Sequence, residues 1–302
     1  MCKPLYFDVT EKDEHGNTHM NPLNRPSKAL ALEQHEKLVA LYKELGLTVE
    51  FIEPVEGLRD MTFAANCGIV FTKGSFTTTQ GKKWCFLSSN FRPERRRGEK
   101  EHYRSFFQKR NYYVLELDPH IFFEGSGDVI PFTNDVLFVG YGFRTSQEAT
   151  LEISAKTGKI VIPLELQKSG EGTAVQYHLD TAMTVLPGKC PTVIVYPGCF
   201  TNASYRVLRQ EVKRYDGVLV EATYADAASL ALNTTVIPIA EIPLPRRASL
   251  PKKCKGVVVT ADTASQELLN IFARLGYRPQ TTPLSEFIKS GGGAFCLTKI
   301  LC

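Results

Sequence analysis

A cysteine follows three consecutive glycines near the end of this chain, in Ser290-Gly291-Gly292-Gly293-Ala294-Phe295-Cys296. Glycine loses more freedom on folding than any other residue, so a triplet marks backbone at positive φ or in close approach to another group. A cysteine on such a loop, delivered by a strand, is a candidate nucleophile. The same text also fits a loose loop before a last strand that contains a buried cysteine and runs into the apolar residues 297–301. Further upstream stand Asp60-Met61-Thr62-Phe63-Ala64-Ala65-Asn66, Phe123-Glu124-Gly125-Ser126-Gly127-Asp128 and His178-Leu179-Asp180-Thr181. A thiol needs a nearby cation or imidazole to become a thiolate near neutral pH. A histidine held by a carboxylate can act as general acid and base. Groups such as Asp180 and Asn66 suit a planar cation with several N–H donors, as a guanidinium has. Taken singly, His178 also reads as a core histidine and Glu124 as a turn carboxylate.

The elements that must position these groups recur along the chain. Residues 27–45 read as an amphipathic helix stopped by Gly46, followed by a half-buried strand at 47–52. Helices expected from about Pro93, Ser146, Asn202 and Ala264 are each followed by a stop and a strand, near residues 111, 158, 217 and 276. One such unit cannot bury its own apolar face, so fixed-period repetition points to a closed or stacked array. Five units in 302 residues predict a small α/β propeller around a central channel, with an ordinary alternating α/β sheet as the alternative. In each unit the polar residues follow the first strand, and rotation about one axis would make them converge.

Composition narrows the partners. The 302 residues are 43% apolar and 23% charged, which is normal for a globular protein. The net charge of +4, from 36 basic and 32 acidic residues, demands neither nucleic acid nor an anionic membrane, even with the basic segment 92–110. Asp8 comes too early for a secretory leader, and no apolar run approaches a membrane span of roughly 18 residues. The eight cysteines form no C-x-x-C pair, and Cys302 is not at the prenylation position, so neither a disulfide framework nor a zinc knuckle is expected. His15 and His19 have an i, i+4 spacing, but their polar surroundings do not read as helix, and no metal is expected. The expected compartment is a reducing cytoplasm.

The quoted motifs, with Met20-Asn21-Pro22 and Gly57-Leu58-Arg59-Asp60-Met61, resemble the guanidino-group-modifying superfamily, or penteins, over nearly the whole chain. These include arginine deiminase, agmatine deiminase, dimethylarginine dimethylaminohydrolase and the arginine dihydrolases. The resemblance implies a five-bladed ββαβ propeller with pseudo-five-fold symmetry, here a single catalytic domain spanning 1–302. It implies that Cys296 attacks a guanidinium carbon to give a thiouronium intermediate, with His178 moving protons and Glu124 holding His178 and one guanidinium edge. Asp180 would clamp the other edge, without metal or cofactor.

The resemblance also bears on the substrate. The dimethylarginine hydrolases, as a group, lack an acid two residues after the histidine, so Asp180 favours an unmodified guanidinium. Asn66, in its Met-x-Phe-x-Ala-Asn setting, resembles the arginine dihydrolases, whereas deiminases carry Asp there. Arg92 and Arg96 are the implied carboxylate binders; Arg144 matches a substrate-binding arginine of the dimethylarginine group, and Asp60 is either a substrate contact or a turn acid. The expected function is hydrolysis of free L-arginine, to ornithine or to citrulline. The alternatives are dimethylarginine hydrolysis, amidinotransfer, or an inactive binding protein. Agmatine as substrate and a homo-oligomeric state remain open.

Overall fold

The computed structural model of this chain describes residues 1–72, 84–168 and 176–301. Five helices of two turns or more recur along it: α1 (Lys28–Glu44), α2 (Glu99–Lys109), α3 (Ala149–Thr157), α4 (Asn202–Arg214) and α5 (Gln266–Arg274). Ser27, Thr201 and Ser265 cap α1, α4 and α5, each side-chain oxygen accepting from a backbone N–H of the first turn. All five helices end on a left-handed residue: Gly46, Asn111, Gly158, Asp216 and Gly276, with φ of 82°, 62°, 72°, 53° and 90°. Glycine, asparagine and aspartate tolerate that region best, which is why these stops are visible in the sequence.

After α2 to α5 the chain enters an edge strand, and four three-stranded sheets result. They are β1 (Gly68–Thr72), β2 (Trp84–Ser88) and β3 (Tyr113–Leu115); β4 (Val129–Pro131), β5 (Val136–Tyr141) and β6 (Ile160–Glu165); β7 (Met183–Leu186), β8 (Thr192–Val195) and β9 (Val218–Glu221); and β10 (Thr235–Pro238), β11 (Gly256–Ala261) and β12 (Tyr277–Thr282). In each, the first two strands pair antiparallel, and a helix carries the chain to a third, parallel strand. The middle strands Val-Leu-Phe-Val-Gly-Tyr, Thr-Val-Ile-Val and Gly-Val-Val-Val-Thr-Ala are near-continuous apolar runs because both faces are covered. Pro279 lies in β12, an edge strand, where a missing N–H is tolerated.

The unit around α1 is poorer in strands. The strand expected at 47–52 is reduced to one parallel bridge between Cys2 and Ile52. α2 begins at Glu99 rather than near 93, because Glu94–Arg96 form a tighter turn bonded back to Pro93. The strand expected at the C-terminus is also absent from the described residues. Residues 293–298 instead curl through turn bonds, Leu297 N–H to Gly293 O and Thr298 N–H to Phe295 O. Tyr42 of α1 ties this segment in, its hydroxyl lying 2.9 Å from Thr235 Oγ1 and 2.8 Å from Thr298 Oγ1. Lys299 Nζ donates to Gly68 O and Ser126 Oγ, joining the C-terminus to the first two sheets. No helix among the described residues is long and apolar enough to cross a membrane.

What matters for chemistry is where the first strands begin. Asn66 lies just ahead of β1, Glu124 to Asp128 ahead of β4, His178 to Asp180 ahead of β7, and Asn233 ahead of β10. The polar residues of successive units thus enter at one register, where each sheet starts.

Candidate active site

Cys296 is 1% exposed and sits in a turn whose glycines are needed for space. A Cβ on Gly292 would lie 2.3 Å from the Phe63 ring, and Gly291 has φ 81°. The turn is built on Asn233. Its Oδ1 accepts from the backbone N–H groups of Gly293 and Cys296, each at 3.0 Å. The Cys296 thiol donates to Asp180 Oδ2 at 3.2 Å.

On the second side stands a chain of buried polar and charged side chains. His178 Nε2 lies 2.9 Å from Glu124 Oε2, and Arg144 Nη1 donates to both Glu124 oxygens at 3.2 and 3.3 Å. Arg144 also reaches Asp13 Oδ1 at 2.9 Å and the His15 carbonyl at 3.2 Å, and lies over the Tyr177 ring. Asp128 stands behind the pair, accepting from Thr145 Oγ1 at 2.6 Å and from the Leu179 N–H at 3.1 Å. That second bond fixes the turn carrying His178.

The arginine run 95–97 divides its labour. Arg96 is 3% exposed; it binds both Glu99 oxygens, at 2.8 and 2.9 Å, and gives Nη1 to Asn66 Oδ1 at 3.1 Å. Arg95 instead faces Asp60 Oδ2 at 2.9 Å and Asp13 Oδ1 at 3.0 Å. Arg92 stacks on Phe122 and does not line the central cavity. That cavity is about 10 Å³, bounded by Asn17, Asp60, Asn66, Arg95, Arg144 and Tyr177 among others. It has room for one water at most. The segment carrying Asp13 and Asn17 closes it, with Asn17 Nδ2 bonded to Ser290 O at 2.9 Å.

The structure thus sets Asp180 against Cys296, His178 and Arg144 against Glu124, and Arg96 against Asn66, with Asp60, Asn66, Arg96 and Arg144 lining one cavity, and it leaves Arg92 aside. Asp13 and Asn17 carry no signal in the sequence, whereas Asp128 closes the Phe-Glu-Gly-Ser-Gly-Asp motif and Arg95 belongs to the arginine run. Asn233 did carry a signal, because it precedes β10 as Asn66 precedes β1. Among the described residues, no three metal-binding side chains cluster.

Burial dominates the electrostatics. It pushes Asp180 up to about 7, against the hydrogen bonds from Cys296 and Asn233, and Asp128 up to about 6, against His178 and Thr145. It also raises the Cys296 thiol, as does the neighbouring Asp180, with Gly293 N–H and Asn233 opposing. The anionic forms of Cys296 and Asp180 are thus both disfavoured in the closed site. Burial would raise Glu124 too, but Arg144, His178 and Arg96 together hold it well below the usual carboxylate range. Four buried polar atoms around the site have no hydrogen-bond partner: Asn66 Nδ2, His178 Nδ1, Asp180 Oδ1 and Ser290 Oγ. Such atoms are costly unless a bound molecule completes them.

Residues 3–299 match the sequence model of the family described as N,N dimethylarginine dimethylhydrolase, eukaryotic. The chain is 28% identical over 303 residues to the bifunctional arginine dihydrolase/ornithine cyclodeaminase ArgZ of Synechocystis, covering 99% of this chain and 37% of that protein. It thus spans little more than a third of that relative's length. It is 31% identical over 298 residues to the N(G),N(G)-dimethylarginine dimethylaminohydrolase of Mycobacterium tuberculosis, covering 99% of this chain and 83% of the other. Its mixed α/β fold is shared with the N-terminal domain of cyanobacterial ArgZ, solved as a cysteine-to-serine variant bound to substrate. The TM-score is 0.79 at 27% identity, over 98% of this chain and 95% of that one.

Proposed function

This chain belongs to the dimethylarginine dimethylhydrolase family of guanidino-group-modifying enzymes, the penteins, and we propose that it is a cysteine-dependent arginine dihydrolase. The observation that carries this reading is the orientation of Asn66. Arg96 takes Asn66 Oδ1, so the inward-facing atom is the unpartnered donor Nδ2. A guanidinium carries only donors and cannot complete it. The carbonyl of a ureido group can, so the site is matched to citrulline held for a second hydrolysis. Asp180 Oδ1, an unpartnered acceptor, is matched to a guanidinium or ureido N–H, and a methylated nitrogen would leave it unsatisfied.

The proposed reaction begins as the substrate cation enters beside Asp180 and the Cys296 thiol proton passes to His178 Nδ1, leaving the thiolate. Sγ bonds to the guanidinium carbon, and ammonia leaves with a proton from His178, whose Nε2 is held by ionised Glu124 while Nδ1 faces the site. Water that gives its proton to His178 attacks the thiouronium carbon, the C–S bond breaks, and citrulline forms. Repetition on the ureido carbon releases a second ammonia and gives a thiocarbamate, whose hydrolysis leaves a carbamic acid that loses carbon dioxide to yield ornithine. Arg95 and Arg144, which converge on the Asp13 carboxylate, would take the substrate carboxylate in its place.

The four sheets and the α1 unit are read as the five blades of one propeller, with 1–302 as a single catalytic domain. The common register of the site residues and the five left-handed helix stops support that reading. The test is product analysis after incubation with arginine, agmatine and dimethylarginine. Ornithine with two ammonia per turnover is expected, with activity abolished in Cys296→Ser. Citrulline as end product, or preferential turnover of dimethylarginine, would sink the proposal.

A further inference from the structure

Asn233 is 0% exposed, and every polar atom of its side chain is committed. Two backbone N–H groups, from Gly293 and Cys296, point at one end of the amide, so that end must be the oxygen. The NH2 end is thereby forced toward the other side. There Nδ2 donates to the Asp180 carbonyl at 3.1 Å and lies 3.2 Å from Cys296 Sγ.

We infer that Asn233 is a catalytic residue, whose Nδ2–H stabilises the Cys296 thiolate before it attacks and again when it is expelled. This rests on the reading of Cys296 as the nucleophile. A mere scaffold for the glycine turn would need only Oδ1. The amide places a donor on the reacting atom with the same group that fixes the turn, so it is oriented before the charge develops. The need is physical: Sγ is buried, and its other side-chain partner, Asp180, is an acceptor that opposes a negative sulfur. Asp180 faces Sγ, while the Tyr177 hydroxyl donates to Gly291 O, His178 is bonded to Glu124, Arg144 lies over the Tyr177 ring and Arg96 is bonded to Asn66. Asn233 is the neutral donor in that group and adds no charge to repel a cationic substrate.

Asn233→Asp keeps an oxygen for the two backbone amides and removes the N–H but adds a charge that itself opposes a thiolate, so it is read beside Asn233→Ser, which removes the N–H without adding charge. A hydrogen bond to a charged atom corresponds to about 10- to 150-fold. The rate of Cys296 alkylation by iodoacetamide, followed by mass spectrometry of its peptide, should have its pH midpoint raised by about one to two units. The value of kcat on arginine should fall about 10- to 150-fold near pH 8, with KM changed less than about threefold. The deficit should shrink as pH falls, because burial raises the new carboxyl and its protonated form can again donate. Should that variant not fold, Asn233→Ser is expected to show the same displaced midpoint. An unchanged alkylation midpoint and pH profile in a folded variant overturns the inference. Retained turnover in Cys296→Ala would instead overturn the underlying assignment of the nucleophile.

Discussion

Replacing Glu124 by Gln removes a buried charge without removing volume, and its effect follows from three distances. Glu124 lies 2.9 Å from His178 Nε2, 3.2 Å from Arg144 Nη1 and 3.9 Å from Arg96 Nη1. Breaking a buried ion pair by neutralising one partner costs about 3–5 kcal/mol, and because glutamine retains one acceptor we take about 3. The folded carboxyl is held below its unfolded value of about 4.3, so its stabilisation is complete above that pH and is lost as pH falls toward the folded pKa. The loss runs at about 1.4 kcal/mol per pH unit, so a gap of about 3 kcal/mol at pH 7 should shrink to about 1 near pH 3. Urea unfolding of wild type and Glu124→Gln at both pH values measures this. At neutral pH kcat should also fall by about 10²- to 10⁴-fold, because His178 loses the group that orients it. A stability gap that stays constant from pH 7 to pH 3 refutes the electrostatic account, and unchanged kcat refutes the role given to the pair.

Other substitutions probe the remaining walls. Asn66→Asp keeps the acceptor for Arg96 but turns the inward donor into an acceptor, so chromatographic product analysis should show citrulline accumulating in place of ornithine. Gly127→Ala would put a Cβ 2.3 Å from Asn66 Nδ2 and 3.1 Å from His178 Nδ1. It should lower kcat about 100-fold and cost about 1–3 kcal/mol in denaturant melts, and normal turnover would show that these atoms have room to move. Arg95→Ala should raise KM for arginine about 10- to 150-fold yet leave agmatine, which lacks the carboxylate, nearly unaffected. Equal losses on both substrates would place Arg95 in the scaffold instead.

The helices and their stops were legible because capping and left-handed termination are local: Ser27, Thr201 and Ser265 act on N–H groups within their own first turn, and Gly46, Gly158 and Gly276 act on the last. Repetition of that local grammar made the architecture readable as units. At 47–52 alternation shows that the segment can pair but not whether a partner runs beside it; only Ile52 finds one. The C-terminal strand failed for a related reason. The Cys296 N–H and C=O are taken by Asn233 Oδ1 and Ala65 N–H, from two distant segments, which favours a turn.

Ser-Gly-Gly-Gly-Ala-Phe-Cys, His-Leu-Asp and Phe-Glu-Gly-Ser-Gly-Asp state by residue type alone that a thiol, an imidazole and carboxylates are available, and their spacing places them at equivalent points of a repeat. What the sequence could not determine is which polar atoms face one another. In the arginine run, a single tight turn sends Arg96 into Glu99 and Asn66 while Arg95 faces the cavity and Asp13. Consecutive cations are chemically alike in a sequence, and only the backbone's rotation between them separates a buried brace from a binding group. The same holds for Asn66 and Asn233. Their amides have a definite orientation only because Arg96 in one case, and two backbone N–H groups in the other, claim the oxygen and turn the nitrogen toward the site.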